Sequence, residues 1–363
     1  MSIDTPPTSG ARNDRRTRVY LTFDVECAEE RLRRGRRQPA LGYEARVWCR
    51  FVNQKRELGV RLIMDMLEAH GCRATFFLEP FGSRWFGEES FLSICHELRA
   101  RGHDVQLHLH PTQRRALWLS RGESRLPDDM WAYTEDEQVA LLSEGIALLE
   151  AAGVPRSEIR AFRAGNYGGD TSTWRALARA GLALDSSFNP GYFSRNCRLR
   201  FEHALPDLFE TPVAGLYELP ITCLQQGSSR APRYRHLQIT AISTAEMIDA
   251  LRQSRQLGMG EVTIVSHSFE FAFIDTPTGP RGRPNQINLA RLRKLLTFLT
   301  DERESFAVET VGELAARLET GARTAAVAPA GDRRYPRVRP WLRLLRQVEQ
   351  ARKRWNAVAV WQP

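Results

Sequence analysis

The stretch Gly102-His103-Asp104-Val105-Gln106-Leu107-His108-Leu109-His110-Pro111 ends an apparent β-strand with two histidines set two positions apart. Side chains alternate faces along a strand, so His108 and His110 point the same way. Neutral imidazole is a common zinc ligand, and two on one face at a strand end hold a metal when a carboxylate arrives from another strand. Toward the N-terminus, the β-branched and aromatic run Val19-Tyr20-Leu21-Thr22-Phe23-Asp24-Val25-Glu26 reads as the first strand of a domain. It ends in two acids, Asp24 and Glu26, with the same spacing as the histidines.

The segment between these two strands sets the fold class. Leu58, Leu62, Ile63, Met66 and Leu67 recur at helical spacing and predict a helix over 57–70, closed by Gly71. Ala74-Thr75-Phe76-Phe77-Leu78 is a second strand, and residues 88–101 form an amphipathic helix stopped at Gly102. Strand, helix, strand, helix, strand implies right-handed parallel crossovers and an α/β sheet or barrel. Such folds gather their active sites at the C-terminal strand ends, where Asp24, Glu26, His108 and His110 fall.

The alternation continues downstream with a helix over 137–151 and a strand, Ile159-Arg160-Ala161-Phe162. That strand runs into Arg163-Ala164-Gly165-Asn166-Tyr167-Gly168-Gly169, where glycines let backbone amides approach a ligand. A helix over 171–180, strand segments at 182–187 and 216–221 and a helix within 239–257 follow. Val262-Thr263-Ile264-Val265-Ser266-His267-Ser268 then delivers a third histidine to the same rim. Two stretches break the pattern. Residues 31–37 hold five arginines in seven positions and read as part of a loop near the acids, either a solvated excursion or a contact for an anionic substrate. Residues 112–135, with Trp118, Trp131 and Tyr133, read as a lid or groove wall beside the metal, with aromatic faces that either suit a sugar ring or simply pack loops.

Composition fits one large catalytic domain with terminal extensions: 363 residues, 42% apolar and 26% charged. We expect a disordered N-terminus over 1–17, a catalytic domain over 18–320, and a linker with a basic helix over 321–363. No run of 18 apolar residues occurs, and the polar N-terminus lacks a secretory core, so a cytoplasmic protein is expected. Six scattered cysteines without a C-x-x-C pair argue against a zinc ribbon and a disulfide framework and predict reduced, mostly buried thiols. Of the net charge of +9, residues 331–363 carry +7, nine Lys/Arg against Asp332 and Glu349. The body therefore has no basic stripe for nucleic acid. In the tail, Trp341, Leu344, Leu345, Val348, Ala351, Trp355 and Val358 fall at helical spacing, with Arg343, Arg346, Arg352, Lys353 and Arg354 between them. This helix over 341–360 either docks on the barrel or another subunit, or lies on an anionic membrane surface.

Thr22-Phe23-Asp24, Ala74-Thr75-Phe76-Phe77, Gly102-His103 with the histidines after it, Arg163-Ala164-Gly165, Leu184-Asp185-Ser186-Ser187 and Ser266-His267-Ser268 occur in order over roughly residues 18–315. As a set they resemble the polysaccharide deacetylase family, carbohydrate esterase family 4 or the NodB-homology group. The resemblance implies a distorted parallel (β/α) barrel of about seven strands and removal of N- or O-acyl groups, usually acetyl from amino sugars, with one divalent metal. It implies Asp24 as general base, His267 as general acid, Arg163 as the partner that keeps the base ionised, and a backbone amide near Asn166 or Tyr167 as oxyanion donor. Two departures mark a divergent branch. The usual adjacent Asp-Asp is here Asp24-Val25-Glu26, making Glu26 the metal carboxylate, and the usual His-x-x-x-His is His108-x-His110, with Thr112 in the second histidine's place.

The chemistry also follows from the residue types. Cleaving an amide or ester requires a Lewis acid with one open position, a base for water, an acid for the leaving group and an oxyanion donor. Glu26, His108 and His110 supply the metal site for a zinc-type ion, and Asp24, His267 and the Asn166/Tyr167 amide supply the rest. His103 differs in strand parity from His108 and is expected to be structural; His70, His96, His203 and His236 are assigned no role. The expected activity is a metal-dependent deacetylase acting on an amino sugar or glycan precursor. The alternatives are a deformylase or other C–N hydrolase acting on a small amide, and a non-catalytic NodB-like carbohydrate-binding module.

Overall fold

A computed structural model describes residues 16–193, 195–199, 206–227, 232–275, 280–320 and 334–358. The expected disordered N-terminus, apart from its last two residues, and the linker over 321–333 lie outside the described residues, as does His203. A nine-stranded sheet forms the centre. In chain order its strands are β1 (Thr17–Val25), β2 (Thr75–Leu78), β3 (Asp104–Leu109), β4 (Ala161–Ala164), β5 (Leu184–Asp185), β6 (Phe209–Glu210), β7 (Tyr217–Glu218), β8 (Glu261–His267) and β9 (Phe306–Glu309). Seven run parallel in the order β8-β1-β2-β3-β4-β5-β7, while β6 is antiparallel to β7 and β9 lies parallel to the first half of β1.

The open side between β7 and β8 is laced rather than fully paired. Leu237 N–H donates to Thr222 O, Val265 N–H to Leu237 O and Ile239 N–H to Val265 O. The result is the distorted (β/α) barrel expected. Val19, Leu21, Phe23 and Val25 on one face of β1 and Tyr20, Thr22 and Asp24 on the other are all buried, as a strand covered on both faces requires.

Besides a single turn at Ser83–Phe86, the α-helices are α1 (Tyr43–Arg46), α2 (Val60–Glu68), α3 (Glu88–Ala100), α4 (Glu135–Ala151), α5 (Thr171–Arg179), α6 (Thr244–Gln256), α7 (Gln286–Asp301), α8 (Val311–Glu319) and α9 (Pro340–Val358). Each crossover helix turns an apolar stripe to the sheet; α2 buries Val60, Ile63, Met64, Met66 and Leu67. Thr134 and Glu137 form a reciprocal capping box that starts α4. Gly102 ends the α3 turn at φ +74°, which aims the chain directly into β3.

One expectation needs correction. The arginine run is not a loop but a β-hairpin, Arg31–Arg33 paired with Arg36–Gln38. Arg34 and Gly35 both adopt positive φ at its turn, the backbone that a two-residue hairpin connection demands. The stretch 112–135 brings Asp128 beside His110, and its aromatic residues pack loops by their polar ends. Trp118 Nε1 donates to Glu30 O, Trp131 Nε1 to Asn196 O and the Tyr133 hydroxyl to Pro127 O, so their polar ends tie loops together. All six cysteines are buried and unpaired by disulfides. Among the described residues no helix is long and apolar enough to cross a membrane.

Candidate metal and acyl-transfer centre

Register builds the rim in pairs. Asp24 on β1 stands beside His267 on β8, and His108 on β3 stands beside Arg163 on β4. All four side chains reach the C-terminal end of the barrel. Across the interior, Arg163 Nη1 donates to Asp24 Oδ1 at 2.6 Å, and the guanidinium lies over the Phe77 ring at 4.1 Å. Burial would push the Asp24 carboxyl up, but the Arg163 charge, with help from His108 and His267, holds it below the usual range. Asp24 is thus ionised at neutral pH although almost wholly buried.

His267 Nε2 lies 3.9 Å from Asp24 Oδ2, and its Nδ1 meets Glu270 Oε1 at 3.1 Å. Burial would lower its pKa, yet the Glu270 hydrogen bond and charge, with Glu26 and Asp24, push it up to about 9. Glu270 is itself held by Ser266 Oγ at 2.7 Å and by Gln238 Nε2. Gln238 Oε1 in turn contacts His236 Nε2 at 2.8 Å.

The second cluster contains Glu26, His108 and His110, whose ligand atoms lie within 4.8 Å of one another. His108 Nδ1 sits 2.8 Å from Arg163 O, and a carbonyl only accepts, so that nitrogen carries the proton. Its Nε2 lone pair then faces Glu26 Oε2 at 3.4 Å. His110 repeats the arrangement, with Nδ1 against Asp128 Oδ2 at 2.9 Å and Nε2 at 2.7 Å from the same Glu26 oxygen. Glu26 Oε2 is buried and makes no hydrogen bond, while Oε1 is taken by Arg46 Nη2 at 2.8 Å.

Two ring nitrogens that converge on one carboxylate oxygen are bridged by a proton or by a cation. Burial opposes charge on both His110 and Glu26. Even so, Asp128 and Glu26 hold His110 well above its ordinary value, and His110 with Arg46 holds Glu26 well below its own. Two imidazole nitrogens and one carboxylate form a donor set that suits zinc, with the far ring nitrogens oriented by a carbonyl and a carboxylate. The residues present fit a divalent ion.

The expected oxyanion segment is backbone of an unusual kind. Asn166 and Tyr167 adopt φ of 54° and 59°, a left-handed pair without glycine, and such strain concentrates at functional sites. Asn166 Nδ2 donates to Asp128 Oδ2 at 2.7 Å, and the buried Tyr167 ring packs on Tyr192 and His236. A Cβ on Gly165 would lie 2.5 Å from the His110 ring, so this glycine is what lets His110 seat.

All eight site residues named from the sequence therefore meet at one rim, in two clusters. Sequence reading missed Arg46, Asp128, Glu270, Gln238 and His236. Asp128 and Arg46 come from stretches without periodicity, and only His267-x-x-Glu270 at the strand end offered a local signal. Thr112, in place of the usual second histidine, instead donates to Glu29. His103, at the opposite end of β3, accepts from Ala74 N–H and faces Glu68, a structural position.

No protein-family model matches the chain, and no curated protein sequence does. Among solved structures, it resembles a Mycobacterium smegmatis protein provisionally assigned as a polysaccharide deacetylase. The match has a TM-score of 0.52 at 17% identity and covers 90% of this chain and 99% of that one. The Xyl-CE4 domain of a xylanase from the Trinervitermes trinervoides hindgut metagenome has a TM-score of 0.40 at 14% identity, covering 86% and 94%. The chitin deacetylase of Colletotrichum lindemuthianum has a TM-score of 0.35 at 13% identity, covering 81% and 85%. The first of these likenesses, added to the strand order, shows that this chain has the NodB-like (β/α)-barrel fold of the polysaccharide deacetylases.

Proposed function

We propose that this chain is a zinc-dependent hydrolase of the polysaccharide deacetylase type that removes an acyl group, foremost N-acetyl, from an amino sugar or glycan precursor. The observation that carries this reading is the convergence of His108 Nε2 and His110 Nε2 on one buried Glu26 oxygen, beside the Asp24–Arg163 pair and a His267 held by Glu270. Glu26, His108 and His110 hold the ion; when bound, it supplies the Lewis acidity that polarises the scissile carbonyl and makes water nucleophilic near neutral pH.

The chain's own residues carry the protons. Asp24 Oδ2, free of the Arg163 contact at Oδ1, accepts the proton of the attacking water. His267 Nε2 delivers a proton to the departing amine, because its Nδ1 is committed to Glu270. Base ionised and acid protonated is the pairing that general acid–base catalysis needs at pH 7, and the fold stabilises both states at once. The left-handed Asn166–Tyr167 backbone supplies the oxyanion donor.

The test combines metal analysis of the purified chain with product release from N-acetyl, N-formyl and cyclic amide substrates. The expected result is zinc near one per chain and acetate release that stops on chelation and returns with zinc. Formate release or ring opening alone would favour a small-amide hydrolase, and bound metal without any cleavage would favour a carbohydrate-binding module.

A further inference from the structure

The C-terminal helix α9 is docked the wrong way round for a surface helix. Its inward face is polar, with Leu342 the only apolar side chain buried there among the described residues. Arg346 pairs with Glu246 at 3.0 Å, Glu349 with Arg291 at 2.6 Å, Gln350 donates to Thr240 O at 2.9 Å and Lys353 to Asn288 Oδ1 at 3.2 Å. The chain entering the helix is pinned as well, through Gln225 N–H to Pro336 O and Val338 N–H to Gln225 O.

The outward face carries Trp341, Leu344, Leu345 and Val348, at i, i+3, i+4 and i+7, exposed by 59, 62, 47 and 62%. These are four of the eight exposed large apolar side chains among the described residues, and the other four are scattered. A surface helix ordinarily buries such a stripe. A contiguous apolar face left outward, while a polar face is held in by ion pairs, marks an interaction surface.

We propose that this face of α9 rests on an anionic lipid surface. Residues 334–353 contain seven Lys/Arg and one acid; Arg339 and Arg346 pair with Asp249 and Glu246, and Glu349 with Arg291, which leaves the segment net basic. Arg343 and Arg352 are exposed on the helix. Tryptophan and leucine on one face with arginines beside them is the composition of a helix lying in the headgroup region. Four partly exposed side chains on one convex helix fall well short of the roughly 800 Å² that each partner contributes to a stable protein interface. A bilayer takes up such a face without shape complementarity. The helix also meets the barrel at its catalytic end: Lys353 contacts Asn288, which donates to the Glu270 carbonyl.

Cosedimentation of the full chain with vesicles tests this independently of any activity. Vesicles of phosphatidylglycerol mixed with phosphatidylcholine should pellet the chain, phosphatidylcholine alone should do so about tenfold less, and salt should weaken the former. Leu344→Ser with Val348→Ser should lower partitioning about tenfold or more while leaving circular dichroism and hydrolysis unchanged. Arg343→Ser with Arg352→Ser should erase much of the preference for the anionic vesicles. Failure of the native chain to pellet with anionic vesicles, or equal pelleting of the serine variant, would overturn the proposal. So would a native dimer in sedimentation velocity that the serine variant dissolves, since the occupant would then be a second copy.

Discussion

The two halves of the catalytic rim are built in opposite ways. The proton-transfer half, Asp24, Arg163 and His267, stands on three strands, and cross-strand register alone sets Asp24 beside His267. The metal-facing half takes its ligands from strand ends, but Glu26 and His110 are oriented from outside the sheet. Arg46 on α1 holds one oxygen of Glu26, and Asp128 in the 112–135 stretch holds His110 from behind. Gly165 leaves the space into which the His110 ring fits. A barrel can therefore keep its acid–base pair fixed while its loops retune the metal.

The largest effect expected is on the rigid half. Asp24→Asn keeps the shape and the Arg163 contact but cannot take a proton, and steady-state kcat should fall by about 10² to 10⁴. A loss under about tenfold would remove Asp24 as the base and leave the metal half as the whole of the catalyst. Asp128→Ala addresses the adaptable half. It leaves all three proposed ligands in place but frees the back of His110, so zinc affinity by competition with a chelator should weaken about 10- to 100-fold. An unchanged affinity would show that the loops do not orient the site.

Glu270→Gln gives the smallest effect and reads the acid directly. Glu270 raises the His267 pKa against burial, so its neutralisation should move the basic limb of the kcat/KM profile to lower pH by about one unit. A bound cation lowers the starting point without reversing this sign. The same linkage makes the folded chain's gain from a charged His267 complete below about pH 6.5, its unfolded value, and lost as pH rises through about 9. A basic limb that stays in place would assign the acid to another group.

The residues carried on strands and strand ends were legible in both halves. Period-two spacing sets Asp24 with Glu26 and His108 with His110, and apolar runs locate the strands whose ends carry them. What could not be read were partners whose positions depend on tertiary placement. Arg46 lies in a stretch without periodicity and reaches Glu26 only because α1 folds back beside β1, with its guanidinium over Phe269 at 3.6 Å. Asp128 lies among other polar residues with nothing to single it out. The arginine hairpin was missed because its strands are three residues each, too short for alternation to register. The tail helix could be placed by its spacing, but not which face it would turn inward, since that choice is made by Glu246, Arg291 and Thr240 on distant elements.

The central claim is a division of labour between two acids two residues apart, and metal content decides it. Purified Asp24→Asn and Glu26→Ala, each loaded with zinc and desalted, should differ sharply: Asp24→Asn near one zinc per chain, Glu26→Ala nearly none. The reverse, with Glu26→Ala retaining zinc and Asp24→Asn losing it, would contradict the assignment and make Asp24 the ligand.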